Sequence, residues 1–164
     1  MRRASFVDMN CSVAQSLEVV GEWWTLLIVR DALFGVTRFD DFSTRLGIAR
    51  NVLTQRLDTL VEHGVMTKEP YQHHPVRYDY RLTEKGRDLW MVIAALRQWG
   101  DKWATDAGAP VESTHTCGQV MTIEPHCSAC GERVELGDLR VRPGPGASDD
   151  NPLAGLRSRE THPS

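Results

Sequence analysis

The chain has 164 residues, 41% hydrophobic and 25% charged, the make-up of one ordinary globular domain with room for a small appendage. No apolar run approaches the ~18 residues of a membrane-spanning helix, and the arginines near the start are followed by no apolar secretory core, so a cytoplasmic protein is expected. The net charge of −3 counts mildly against a nucleic-acid partner, unless the basic groups gather on one surface.

A first helix is predicted from Cys11, with Ala14, Leu17 and Val20 on one face and Gly21 as its stop. Trp23 to Phe34 is apolar almost all round, broken only by Arg30 and Asp31, so it belongs in the middle of a core and is closed by Gly35. Phe39, Phe42 and Leu46 then recur at helical spacing until Gly47 breaks the chain. Leu53, Leu57, Leu60 and Val61 form a second stripe, and Gly64 supplies a left-handed stop. Val65–Tyr71 and Val76–Leu82 are β-rich and flank a turn-like tip, Gln72-His73-His74-Pro75. Thr83 offers an N-cap for one long helix to about Trp103, with the stripe Leu89, Val92, Ile93, Leu96, Trp99, Gly100 and Trp103. That stripe is large for the few elements left to cover it, so Leu96, Trp99 and Trp103 are expected to meet a second subunit.

Helix, tight turn, helix and hairpin is the order of a winged helix-turn-helix. The fold expected is mainly α (α+β), with a long C-terminal dimerisation helix and a small zinc-knuckle-like appendage. The second of the two short helices keeps Arg50, Asn51, Thr54, Gln55 and Asp58 off its apolar stripe. Arg donates bidentately to guanine and Asn or Gln pairs with adenine, so this face suits base-edge reading in a major groove. Arg56 is expected at phosphate, or paired with Asp58 or Glu62, and His73, His74 and Arg77 at the tip are expected at backbone or minor groove. Val36 to Leu82 holds seven Arg/Lys against six Asp/Glu, so Arg38, Arg45, Arg50, Arg56, Lys68 and Arg77 form a basic surface only if the acids face elsewhere.

The segment from about Cys11 to Trp103 resembles the HxlR-type winged helix-turn-helix regulators, a bacterial family related to the MarR group. Gly21-Glu22-Trp23-Trp24-Thr25-Leu26-Leu27-Ile28, Arg38-Phe39-Asp40-Asp41-Phe42 and Gly47-Ile48 carry the likeness, in order and spacing. It continues in Val52-Leu53-Thr54-Gln55-Arg56-Leu57, Leu60-Val61-Glu62-His63-Gly64-Val65 and Tyr78-Asp79-Tyr80-Arg81-Leu82-Thr83-Glu84-Lys85-Gly86. Two positions depart from the pattern. Ala49 stands where a serine often caps the recognition helix, a cap worth ~1 kcal/mol, and Ser12 stands where the first-helix cysteine often has a proline neighbour. The resemblance implies a homodimeric DNA-binding regulator, more in keeping with a repressor, that answers a small-molecule or redox signal. Entry points for that signal are Cys11, a pocket lined by Trp23, Trp24 and Trp99, or the C-terminal segment.

Cys11 reads either as a small buried hydrophobe or as a sensor thiol near a helix N-terminus, as in some regulators of the family it resembles. The other cysteines form His115-x-Cys117-x₉-Cys127-x₂-Cys130, four candidate ligands for one structural zinc in a segment with too few large apolar residues to fold unaided. His126 competes as the fourth ligand, and a redox Cys127/Cys130 pair or inert thiols are the alternatives. The chain thus divides into a winged-helix and dimerisation unit (1–104), a zinc-knuckle-like extension (105–142) and a Pro/Gly/Ser-rich tail (143–164) expected to be disordered. No acid/base constellation accompanies the cysteines, so no enzyme is expected. The partners expected are double-stranded operator DNA, a second copy and a small effector. The alternative is a winged-helix module that binds a protein instead of DNA.

Overall fold

The computed structural model describes residues 5–148. Its elements are α1 (Ser12–Val20), α2 (Thr25–Leu33), α3 (Phe39–Leu46), α4 (Arg50–Glu62), β1 (Met66–His73), β2 (Val76–Leu82), α5 (Glu84–Arg87) and α6 (Trp90–Trp103), followed by one 3-10 turn at Leu136–Asp138. Among the described residues no helix is long and apolar enough to cross a membrane. Of the expected tail, residues 149–164 lie outside the described residues, while 143–148 return to α1, where Asn10 Nδ2 donates to the Gly146 carbonyl at 3.0 Å.

Periodicity becomes packing most clearly in α4. Leu53, Leu57 and Leu60 are fully buried, and they meet Ile28 and Val29 of α2, Phe42 of α3, Ile48, Val65, Met66 and Tyr80 in one core. Full burial of each such side chain contributes on the order of 1.5–3 kcal/mol. The α3–α4 turn rests on Gly47 at φ 62°, a left-handed value that costs a side-chain-bearing residue energy. Ala49 caps α4 with no side-chain hydrogen bond, as the missing serine implied.

The wing is an antiparallel pair from Met66↔Leu82 to His73↔Val76, with an irregularity between Pro70 and Gln72. The pairing runs beyond the expected β1, because the ladder continues through His73 and only His74-Pro75 turns. A short third partner joins it: Arg38 bridges Asp79, and the Tyr80 amide donates to the Thr37 carbonyl at 2.8 Å. This places the entry to α3 on the edge of β2. Buried Asp31 adds a further tie, accepting from Arg30 of its own helix at 2.8 Å and Arg45 of α3 at 3.2 Å.

Two expectations about the helices are corrected. Trp23 precedes α2 and is 91% exposed, and Phe34 is 78% exposed, so this apolar stretch is not covered all round by its own chain. The single long helix after Thr83 is two helices. Thr83 does cap, accepting from the Gly86 amide, but the ladder tightens where the Leu89 amide reaches Gly86 instead of Lys85. Gly86 lies against the backbone of Val65, and a Cβ there would sit 2.2 Å from the Val65 carbonyl oxygen. The start of α5 is therefore locked to the end of α4 and cannot lean into line with α6. The Thr83 hydroxyl donating to the Gly64 carbonyl (2.7 Å) and Lys85 donating to the His63 carbonyl (2.8 Å) complete that lock. Gly86→Ala is expected to destabilise the protein by about 1–3 kcal/mol through overpacking against backbone, read as a lower urea midpoint; an unchanged midpoint would contradict the contact.

Candidate nucleic-acid interface

The stripe of α4 fixes what the helix shows to solvent. With Leu53, Leu57 and Leu60 inward, Arg50, Asn51, Thr54 and Gln55 are all exposed on the outer side. Opposite them stands the wing, and between the two lies a cleft of about 470 Å³ lined by Arg50, Asn51, Thr54, Tyr71, Arg77 and Tyr78, with Phe39 and Asp40 of α3 at its end. Helix N-terminus and wing thus share one concave surface. His73 and His74 are exposed at the tip beyond it.

The electrostatics differ from the expectation, because the acids do not face elsewhere. Arg50 Nη1 lies 2.7 Å from Asp40 Oδ1, with its guanidinium 4.7 Å from the centre of the Phe39 ring. The hydrogen bond from Arg50 holds the Asp40 carboxyl below its ordinary pKa, and Arg77 of the wing adds a weaker pull of the same sign. Arg38 pairs with Asp79 at 3.9 Å and lies over Tyr71, and Lys68 pairs with Asp58 at 3.5 Å and lies over Tyr78. The Arg50–Asp40 pair, exposed on both sides, contributes little, ~0–1 kcal/mol, so a well-placed base acceptor can share or replace the acid at small cost.

Arg56 is a different matter. Its side chain is 15% exposed and reaches back to Glu22 at 3.2 Å, so it ties α4 to the α1–α2 turn. The expected phosphate contact is not where this guanidinium points, and its ion pair is with Glu22 instead of Asp58 or Glu62. Its position, one residue from the buried Leu57, explains why: a long side chain beside an apolar stripe lies along the interior. Conversely, Asp40, Phe39, Tyr71 and Tyr78 line the cleft but are not among the DNA-contact residues expected from sequence. The only available signal was an acid in the first turn of the helix that the tight turn folds onto Arg50.

The remaining candidates stand outside this surface. Leu96, Trp99 and Trp103 are 52%, 60% and 66% exposed, and no residue of α6 is buried. Trp23 and Trp99 are too exposed to enclose a pocket with Trp24 within one chain. Cys11 is half-buried in the N-cap position of α1, in a depression it shares with residues 144–148.

In the extension, the expected zinc ligands form two separate turns. The Cys117 amide lies 3.3 Å from His115 Nδ1 in a turn bridged by Thr114 and Val120. The amides of Cys130 and Ala129 and the Cys130 thiol hydrogen-bond to Cys127, lowering its thiol pKa, in a second turn bridged by His126 and Arg133. Each turn carries a glycine after its cysteine at positive φ, Gly118 at 87° and Gly131 at 77°. Among the described residues no three His, Cys, Asp or Glu side chains converge as metal ligands, so as placed the four do not make a tetrahedral site.

Comparison with known proteins agrees with this architecture. Residues 19–107 match the model of the HxlR-like helix-turn-helix family. An uncharacterized HTH-type transcriptional regulator of Mycobacterium tuberculosis is 46% identical over 137 residues, covering 82% of this chain and 87% of the relative. Among solved structures, PA1607, described as a candidate transcription factor, superposes with a TM-score of 0.72 at 39% identity, over 86% of this chain and 100% of its own. The reduced form of the redox regulator HypR is similar over 56% of this chain and 92% of its own, with a TM-score of 0.51 and 30% identity. With its family match, its relatives and its winged helix-turn-helix in agreement, the chain belongs to the HxlR-like helix-turn-helix family of transcriptional regulators.

Proposed function

We propose that the protein is a homodimeric, sequence-specific repressor that binds double-stranded operator DNA through α4 and the wing. The observation that carries this reading is the exposed row Arg50, Asn51, Thr54 and Gln55 on a helix whose other face is fully buried, facing a wing that carries Arg77 across one cleft. α4 enters the major groove N-terminus first, and the wing follows the adjacent backbone. Two heads related by a dyad read half-sites about one helical turn apart, ~34 Å, and occlude a promoter. A change of a few degrees between heads is then enough to release them.

The second copy covers α6. A helix of this length with a half-exposed Leu96 and two exposed tryptophans gains little from its own chain, and a dimer buries that surface. The signal enters through the half-buried Cys11 thiol at the head of α1, a reading supported by similarity to a protein named a redox regulator. His115, Cys117, Cys127 and Cys130 would supply an imidazole and three thiolates to one structural zinc, a donor set of the kind such an ion takes.

A protein-binding module is the competing reading, favoured by the pairing of Arg38, Arg50 and Lys68 with acids. Salt separates the two, since specific DNA binding weakens steeply as salt rises.

Arg50→Ala and Asn51→Ala are each expected to lower specific affinity by ~1–3 kcal/mol without lowering the melting temperature. Arg56→Ala is expected to do the reverse, costing stability while leaving the salt slope of binding unchanged. Electrophoretic shifts and thermal melts read both, and intact binding in the Arg50 and Asn51 variants together would remove α4 from the interface. Trp99→Ala is expected to shift the species seen in sedimentation from dimer toward monomer; a variant still dimeric at low micromolar concentration would exclude α6 as the interface. Elemental analysis is expected to find one zinc per chain, lost in Cys130→Ser, and metal-free protein from zinc-supplemented growth would dismiss the site.

A further inference from the structure

We infer that Asp40 is a specificity-determining residue of the reading head, one that restrains Arg50 and opposes phosphate so that base contacts, not backbone charge, decide where the protein binds. The inference rests on the DNA-binding reading given above.

Three features of the cleft lead to it. The Asp40 carboxylate is more than half exposed and lies on the surface offered to DNA, at the end of the cleft shared by α4 and the wing. It holds Arg50 at 2.7 Å, and the Phe39 ring beneath the guanidinium, 4.7 Å from its centre to the carbon, leaves the arginine one face and one direction. Wing Arg77 lies within electrostatic reach of the same carboxylate, so a single acid answers the cation of the helix and the cation of the wing.

An arginine at the first position of a recognition helix has two kinds of partner. Swung outward on its flexible stem, it neutralises any phosphate, which strengthens binding to every sequence alike. Held against a carboxylate and an aromatic face, it offers its remaining donors in a fixed fork, which suits guanine O6 and N7 and little else. The negative charge of Asp40 also repels the phosphates of a misplaced duplex, a penalty that correct base pairing to Arg50 and Asn51 must overcome. Asp41, the next residue, carries the same charge on the same helical turn but does not line the cleft, so it has no such reach.

The test compares the unsubstituted protein with Asp40→Asn and Asp41→Asn. Each is titrated with the duplex that the unsubstituted protein enriches from a random-sequence pool, and with poly(dI-dC), over a range of salt. Asp40→Asn is expected to bind poly(dI-dC) about three- to tenfold more tightly, with its salt slope steeper by about one counterion as Arg50 is freed for a phosphate. The ratio of specific to non-specific affinity is expected to fall about tenfold, with the melting temperature unchanged, while Asp41→Asn keeps both the ratio and the slope. If the unsubstituted protein discriminates and Asp40→Asn matches Asp41→Asn in ratio and slope, this inference is overturned and the DNA-binding reading stands. If the unsubstituted protein enriches no sequence, the DNA-binding reading fails and takes the inference with it.

Discussion

The burial of three leucines on one side of α4 is the constraint on which the rest of the molecule depends. Leu53, Leu57 and Leu60 are fully buried among side chains from α2, α3 and β1. Rotating the helix by one residue, about 100°, would expose them all and cost several kcal/mol. The polar face of α4 is therefore set by the core rather than by anything it touches outside. The same helix also positions the wing, because Gly64 turns the chain at φ 67°, Thr83 and Lys85 return to donate to the Gly64 and His63 carbonyls, and Gly86 packs against the Val65 backbone. These contacts tie α4, the wing and α5 together at the base of the cleft.

Charge on this head is arranged by pairing rather than by accumulation. A near-neutral surface forgoes the sequence-independent attraction that a basic patch would supply. In the proposed DNA-binding role it gains a low background of non-specific binding, which matters because a genome offers vastly more wrong sites than right ones. Exposed ion pairs fit this arrangement, being weak enough to exchange their acid for a nucleic-acid acceptor and directional enough to keep the guanidinium aimed in the meantime. Arg56, the one member of the expected contact set that lies largely buried, shows the other fate of an arginine on such a helix, as a strut between elements.

Helices α3 and α4, their glycine turn and the wing were legible in the sequence because each depends on local periodicity or on a residue with special backbone freedom. Gly47 and Gly64 take the left-handed values their positions implied. What could not be read depends on contacts distant in sequence. The division of the last helix at Asp88-Leu89 follows from Gly86 meeting Val65, more than twenty residues away, and nothing in the apolar stripe records it. The inward turn of Arg56 depends on Glu22 in the α1–α2 turn, far away in sequence. Trp23 reads as core by hydrophobicity alone, yet it stands before the helix begins and outside its own chain's core. In the extension the knuckle-like chemistry of each turn was legible from Cys-Gly, whereas the distance between two turns joined by a loop was not.

The tryptophans therefore carry information that a single chain leaves unused. Trp23, Phe34, Trp99 and Trp103 are each exposed by more than half, on a protein whose own core is complete without them. Apolar area of this size favours leaving water by an amount proportional to its extent, and selection against aggregation would not retain it uncovered. In the proposed dimer, a two-fold assembly through α6 covers Trp99 and Trp103 and has a mechanical consequence. Since α5 is locked to the end of α4, while the ladder between α5 and α6 is weakened at Leu89, the joint between dimer and reading head lies at Asp88-Leu89. Rotation there would change the separation of the two α4 helices, at the cost of shifting Leu89 against the core and α6 against α2. In the proposed dimer, a signal received at α1 or in the extension, which meets α6 where Gln98 exchanges hydrogen bonds with Ile123 at 2.7 and 3.0 Å, need only alter how α6 packs on its partner.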